Sequence, residues 1–445
     1  MKRLIYIILA ISTVFAACDD DESYEYGSYE YSPIKSVSCY PIFWPLPVSD
    51  GTVVSVAPIN NVYNFLKIMP DGTTKSTPLT FTWSSSNNSI PTPTPGGNFP
   101  EGVDAGESNN TATPANPVQN FNVDITSGSK LTKNSNDEYY FDYYSDDDFG
   151  RRFFAVVKFD KDCNILFQID STVNTMGGGR MGGDAATVTK LPKVGTPLNN
   201  GGYAMILQAP SMGMFQSTDY SLTLRIITDE GKYAEEYTLD FSEAIKIVDI
   251  TSVNNNIAIY YALSDDSYYY NVYTMDGQLI GTFPINSDCV IYNYLTYGNN
   301  VFLSGYNYTT QKFYVEQVDE NGQSENVKEF DASAILTSIT EFDGYRCFSG
   351  FFYPETDQSN IDPGHILDLI DSYDGIIMLA KDGTFEEPII ADYNNGVIIW
   401  ATFKNTDGTY TVFLSQITPL STLASQLGDK IYIYRTNDLK KLEVN

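Results

Sequence analysis

The chain has one histidine, His365 in IDPGHILDLID. A single imidazole excludes sites that need two or three His ligands, zincin-type centres and most catalytic zinc sites among them. It can still act as a general base, and it reads equally as a solvated loop residue. MGGGRMGGD, residues 176–184, is glycine-rich but lacks the Gly-Lys-Ser/Thr ending of a phosphate loop and opens no helix. It reads as a flexible loop, with Arg180 as a cation able to meet an anion. Asp160-Lys161-Asp162-Cys163-Asn164 imitates the start of an EF-hand. Ile165 stands where that loop needs Gly and Ser171 where it needs Glu, so the segment reads as a hairpin turn. Asp146, Asp147 and Asp148 supply oxygens that suit Ca²⁺ and suit an exposed acidic loop as well; no other cofactor is expected. No G-x-S-x-G nucleophile elbow occurs, and 56 carboxylates make chance acid pairs unavoidable, so a glycosidase pair stays open. Trp44, Trp83 and Trp400 adjoin strand patterns and read as core.

The elements that must position these residues form a repeat. VFLSGYNYTTQKFYVEQVDENGQSENVKEF reads as three antiparallel strands, 301–306, 311–318 and 324–330, with Asn321-Gly322 as the last turn. Ser349-Gly350 follows Ser304-Gly305 by 45 residues, and Asn321-Gly322 follows Asp276-Gly277 by the same 45. Several short strands per such period describe a propeller blade. The turn-bearing hairpin recurs around Asp71-Gly72, 160–164, Asp229-Glu230-Gly231, Asp276-Gly277, Asn321-Gly322, Asp382-Gly383 and Asn437-Asp438. The expected fold is all-β, a β-propeller of six or seven four-stranded antiparallel blades, with seven favoured. A sandwich with coincidental hairpins is the plain alternative. The blades fall near 40–83, 118–172, 186–241, 247–286, 289–330, 335–391 and 392–445. In the last, 421–427 reads as a short helix and 430–435 opens a final hairpin.

If the recurring turn joins the third and fourth strands of a blade, the odd loops share the opposite face. These are 84–117, 145–148, 176–184, 209–219, 353–373 and 418–429. In the sixth unit the distance from Ser-Gly to the turn is 33 residues, against 17 in the fifth. Loops on a rigid scaffold carry function more often than the scaffold does, so this face is the expected binding face. Residues 84–117 are rich in Pro, Ser, Asn and Gly and read as a disordered insertion.

The amino terminus carries an address. Lys2-Arg3 precede an apolar run over 4–14, and Phe15-Ala16-Ala17 leads into Cys18. This resembles a bacterial lipoprotein signal, which implies cleavage after residue 17 and lipid attachment at Cys18; Phe15 replaces the usual Leu. Asp19-Asp20-Asp21-Glu22 resembles the surface-export signal of Bacteroidota lipoproteins, although it also reads as a solvated spacer. Residues 18–38 are then a lipidated acidic tether and 39–445 the propeller. Cys39, Cys163, Cys289 and Cys347 form no C-x-x-C, and their pairing is open; Cys347, in an apolar strand, reads as a small buried hydrophobe.

With 56 acidic against 26 basic residues and a net charge of −30, the chain does not suit nucleic acid. The whole resembles surface-exposed Bacteroidota lipoproteins with a propeller body. That resemblance implies a lipid anchor in the outer membrane, facing outside the cell, and binding of a glycan or a surface protein. A glycan-degrading enzyme and a structural subunit of an outer-membrane complex are the alternatives.

Overall fold

Tight turns fix the register of the strands. Gly72, Gly231 and Gly277 have φ of 79°, 78° and 77°, a left-handed conformation that glycine adopts without a side-chain clash. Each donates its N–H three residues back, to Met69, Thr228 and Thr274, at 2.9–3.0 Å. In the 160–164 turn the same place is held by Cys163, with φ 64° and a 3.0 Å bond to Asp160 O. Asp382 and Gly383 both have positive φ, 51° and 75°, as a two-residue hairpin of mirror-image turn type requires.

The computed structural model describes residues 35–38, 45–59, 62–79, 130–146, 151–174, 191–208, 221–241, 245–253, 256–263, 267–285, 289–297, 300–307, 309–319, 324–330, 333–353, 374–391, 397–419, 425–427 and 430–441. All lie within one unit, Pro33–Val444. They form seven antiparallel sheets arranged as the blades of a ring, each with strands a to d from the axis outward. Blade 1 is Leu46–Pro47, Val53–Ile59, Val62–Ile68 and Thr74–Pro78. Blade 2 is Lys130–Lys133, Tyr139–Asp146, Arg151–Phe159 and Ile165–Asn174. Blade 3 is Leu191–Pro197, Tyr203–Gln208, Leu222–Ile227 and Tyr233–Leu239. Blade 4 is Lys246–Val253, Asn256–Ala262, Tyr268–Thr274 and Leu279–Pro284. Blade 5 is Cys289–Tyr297, Asn300–Asn307, Lys312–Val318 and Ser324–Phe330. Blade 6 is Ser333–Phe342, Tyr345–Tyr353, Asp374–Lys381 and an outer strand broken into Thr384–Phe385 and Ile389–Ala391. Blade 7 is Val397–Lys404, Tyr410–Pro419, Lys430–Thr436 and, outermost, Lys35–Ser38.

Both faces of each blade are covered by neighbours, so strands b read as near-continuous apolar runs such as YAMILQ and NIAIYYA. Strands d lie at the periphery and read as TKSTP or YAEEYTL, mostly exposed. A hydrophobic cluster fills each of the seven junctions. Phe65 meets Phe159 between blades 1 and 2, and Tyr140 meets Tyr203 between 2 and 3. Ile206 packs with Ile257 between 3 and 4, Tyr260 with Leu303 between 4 and 5, and Phe302 with Phe348 between 5 and 6. Ile377 and Ile399 join 6 to 7, and Trp400, Phe413, Val53 and Leu66 close 7 on 1.

Ring closure differs from the expected last hairpin. After Thr436 the chain forms a single 3-10 turn, Leu439–Lys441. Thr436 Oγ1 donates to Asp438 O at 2.9 Å, and Leu439 is buried with Ile377 and Val397. The inward pull of Leu439 keeps the chain from folding back, which leaves the outer edge of Lys430–Thr436 to Lys35–Ser38. These four residues, the end of the stretch expected as tether, are therefore the fourth strand of blade 7. The short helix expected over 421–427 is also corrected. Ser425–Leu427 is a strand paired with Ile417 to Pro419, whose backbone at the end of strand b offers it a partner. The expected insertion 84–117 lies outside the described residues, as do Trp44, Trp83, Cys39 and the Asn321-Gly322 turn.

The Ser-Gly repeat has a steric cause. In blades 5 and 6 strand a bulges by one residue opposite Ser304-Gly305 and Ser349-Gly350. A Cβ on Gly350 would stand 2.1 Å from Ile335 O, so only glycine admits the bulged strand there.

Candidate functional site

Strands run consecutively outward, so the a–b and c–d connections meet at one rim of the ring and the b–c and d–a connections at the other. The first, the turn rim, holds nothing longer than five-residue connections such as 48–52, 69–73, 160–164 and 405–409. The second, the loop rim, receives the ends of 79–129, 147–150, 175–190, 209–221, 354–373 and 420–429. The asymmetry expected from the sequence is thus present in the strand connectivity.

The residues singled out from the sequence are distributed accordingly. Asp146 is the last residue of strand b in blade 2, opposite Arg152. Asp147, Asp148, Arg180, His365 and Cys18 lie outside the described residues. Connectivity springs Asp147 and Asp148 from blade 2 and Arg180 from the link between blades 2 and 3, while His365 springs from blade 6, three blades round the ring. The aspartates and Arg180 therefore arise from adjoining strands at one rim, and His365 arises apart from them. Trp400 is fully buried and donates Nε1–H to Ser415 Oγ at 2.8 Å, a core residue. Cys163 and Cys347 are buried free thiols, and burial raises them to about 11 and about 12.

The structure adds a charged group near the axis that sequence reasoning missed. Asp142, fully buried on strand b of blade 2, accepts the backbone N–H of Lys130 at 2.6 Å on Oδ1. Its Oδ2 accepts the hydroxyl of Tyr203 from blade 3. Lys130 Nζ reaches past blade 3 to Asp249 Oδ1 of blade 4 at 2.5 Å and to Ile250 O at 3.3 Å. Tyr203 spans strand a of its own blade because Gly195 leaves the space; a Cβ there would lie 2.3 Å from the tyrosine ring and hydroxyl. Burial raises the Asp142 carboxyl to about 7, with Lys130 and the Tyr203 hydrogen bond opposing it. Both carboxylate oxygens are taken and no surface is exposed, so Asp142 ties blade 2 to blade 3, while Lys130 carries the link on to blade 4. The signal for it was an aspartate inside the apolar run YYFDYYS.

On the turn rim a cleft of about 400 Å³ lies between blades 3 and 4, floored by Ile226, Tyr237 and Met275 and edged by Asp229, Glu235 and Asp276. Among the described residues no group of three His, Cys, Asp or Glu stands close enough to hold a metal ion, and no helix is long and apolar enough to cross a membrane.

No protein-family model matches the chain, and no curated protein matches it. Among solved structures it is similar to puromycin hydrolase at 8% identity and TM-score 0.40, over 87% of this chain and 51% of that one. It is similar to the lignostilbene dioxygenase of Pseudomonas brassicacearum at 9% identity and TM-score 0.34, over 70% and 74%. A Synechocystis apocarotenoid oxygenase mutant follows at 7% identity and TM-score 0.32, over 89% and 71%. Likeness at this level carries no residue, cofactor or activity across.

Proposed function

We propose that this chain is a lipid-anchored protein of the outer membrane, exposed at the cell surface, whose loop rim binds a glycan or a protein partner. The observation that supports this reading is the division of the ring. Every long connection joins strand ends at the loop rim, and the turn rim keeps only tight turns. The signal-like segment before Cys18 and the acidic run behind it supply the anchor and its address.

The test uses the protein from Ser23 onward, which includes the whole described unit. It is incubated with plant, host and microbial polysaccharides while both retention and release of new reducing ends are followed. Retention without release is the expected result. Release identifies a glycan-degrading enzyme instead. If neither occurs, glycan binding fails, and capture of an outer-membrane protein by the lipidated chain becomes the deciding measurement.

A further inference from the structure

We propose that the outer corner of blades 2 to 4, at the turn rim, docks a protein partner through a basic and apolar segment. A Lys or Arg side chain of the partner lies in the cleft between blades 3 and 4, and its apolar neighbours cover Tyr233 and Leu279-Ile280. This surface is separate from whatever the loop rim binds. It begins with a pattern in the outer strands. In each of these blades strand d bulges by one residue just after its turn, opposite Lys158-Phe159, Ile226-Ile227 and Val272-Tyr273. The residues at the bulge are Ile165-Leu166, Tyr233-Ala234 and Leu279-Ile280. Blade 1 has Thr74-Lys75 after its turn, and blade 5 has Ser324-Glu325. Among the described residues seven large apolar side chains are exposed, and five of them are Ile165, Leu166, Tyr233, Leu279 and Ile280. The three corners adjoin, because each turn seats on the preceding blade, Gly231 against Phe167 and Gly277 against Tyr237. Exposed apolar groups gathered in this way mark an interaction surface, and a bulged edge resists the strand pairing that would cover them by aggregation.

The cleft decides the partner's chemistry. Ile226, Tyr237 and Met275 floor it. Ala234 and Glu235 continue from Tyr233 on one side, and Met275-Asp276 lead toward Leu279-Ile280 on the other. The nearby cations are taken. Arg225 pairs with Glu236 at 2.6 Å, Lys232 with Glu230 at 2.5 Å, and buried Lys158 with Glu138 at 2.8 Å. Lys161, at the blade 2 turn, stands between Asp160 and Asp162. Asp229, Glu235 and Asp276 have no cation partner among the described residues. An apolar floor under three uncompensated carboxylates fits a side chain with a methylene stem and a cationic head, which is Lys or Arg. The Arg225 guanidinium lies 4.9 Å from the Tyr233 ring centroid and holds that ring in place as an aromatic anchor. A second copy of this chain, with net charge −30, brings charge of the same sign, and so does an anionic lipid surface. A basic protein segment is the occupant that both the floor and the charges select.

Peptide titration tests this. A fluorescent peptide alternating Lys with Leu, and the same peptide with Glu in place of Lys, are each titrated with the intact protein while anisotropy is followed. Only the Lys peptide is expected to bind. Neutralising the cleft by Asp229→Asn, Glu235→Gln and Asp276→Asn should weaken its binding by about tenfold or more. Leu279→Ser with Ile280→Ser, which leaves every charge in place, should weaken it by about fivefold. Removing three exposed carboxylates from blade 6 instead, by Asp382→Asn, Glu386→Gln and Glu387→Gln, should leave it unchanged. All these positions are exposed, and the unfolding midpoint of each variant confirms that it is folded. Failure of the Lys peptide to bind overturns the proposal. Equal weakening by the blade 6 variant also overturns it, since binding is then a general attraction to an acidic protein. Self-association of the protein that Leu279→Ser with Ile280→Ser abolishes would make a second copy the occupant and overturn the basic partner.

Discussion

The two rims of the ring are built from the same strands and differ in what joins them. At the turn rim, blades are stitched by buried or half-buried polar bonds. Lys67 Nζ reaches Asp50 at 2.6 Å in its own blade and Lys161 O of blade 2 at 2.8 Å. Lys158, almost fully buried, pairs with Glu138 at 2.8 Å and donates to Gly201 O of blade 3 at 2.9 Å. Tyr140 donates to the same carbonyl at 2.7 Å, and Asn134 to Leu198 O at 3.2 Å. At the loop rim, the same strand ends lead into segments that vary from the two residues of 331–332 to the span 79–129. The turn rim thus carries tight turns with these bonds between blades 1, 2 and 3, and the loop rim carries the long connections, the division expected of a scaffold that carries a binding surface.

That division is open to direct attack, starting with closure. A chain lacking residues up to Ser38 loses the outer strand of blade 7 and the packing of Val37, and exposes the edge of Lys430–Thr436. Thermal unfolding should show the largest loss of any change considered, together with association through the bared edge. Next, Lys158→Ala leaves Glu138 without its cation and Gly201 O with Tyr140 as its one remaining side-chain donor. Urea unfolding should show a loss of about 3–5 kcal/mol, while ligand retention per folded molecule stays unchanged.

Asp142 gives a pH signature. Its pKa is about 7 when folded, above the ordinary carboxylate value, so folding favours the protonated form. Its stabilising contribution is complete below the unfolded pKa and is lost as pH rises through about 7. Relative to Asp142→Asn, the natural protein should lose stability between pH 4 and 8, by about 4 kcal/mol at most; parallel curves for the two proteins would refute the assignment. A smaller effect is expected of Gly195→Ala, whose methyl meets the Tyr203 ring and should cost about 1–3 kcal/mol. Tyr203→Phe in the same chain should make the two losses non-additive, since both act on one contact. Smallest is Gly383→Ala, where φ is 75° and nothing stands within 4 Å. Only backbone strain is added, about 1 kcal/mol by denaturant unfolding.

Local rules made much of this fold legible. Asp71-Gly72, Asp276-Gly277 and Asp382-Gly383 announce turns because their glycines need positive φ, and the 45-residue offset of Ser-Gly follows from a bulge that only glycine accommodates in blade 6. What stayed hidden depends on distance along the chain. KSVS, four residues with no turn beside it, becomes a strand only because its partner lies at the far end of the sequence. Asp142 meets Tyr203 across 61 residues, and the contact exists only because a third residue, Gly195, has no side chain. Of the candidate site, the sequence shows which rim carries the long connections, since that follows from strand order. Which of Asp147, Asp148, Arg180 and His365 act together depends on the paths of their loops, and neither turn chemistry nor periodicity sets those.

The most direct test of the functional claim is ligand retention after exchanging loops of one rim. Replacing 354–373 with the short 308–311 connection of blade 5 changes the loop rim alone, while Glu230→Ala with Lys232→Ala changes the turn rim alone. With the unfolding midpoint as control, the first variant should lose retention of the bound glycan or protein by about tenfold or more, and the second should keep it. Retention that survives the loop exchange and fails with the turn-rim change would contradict the account.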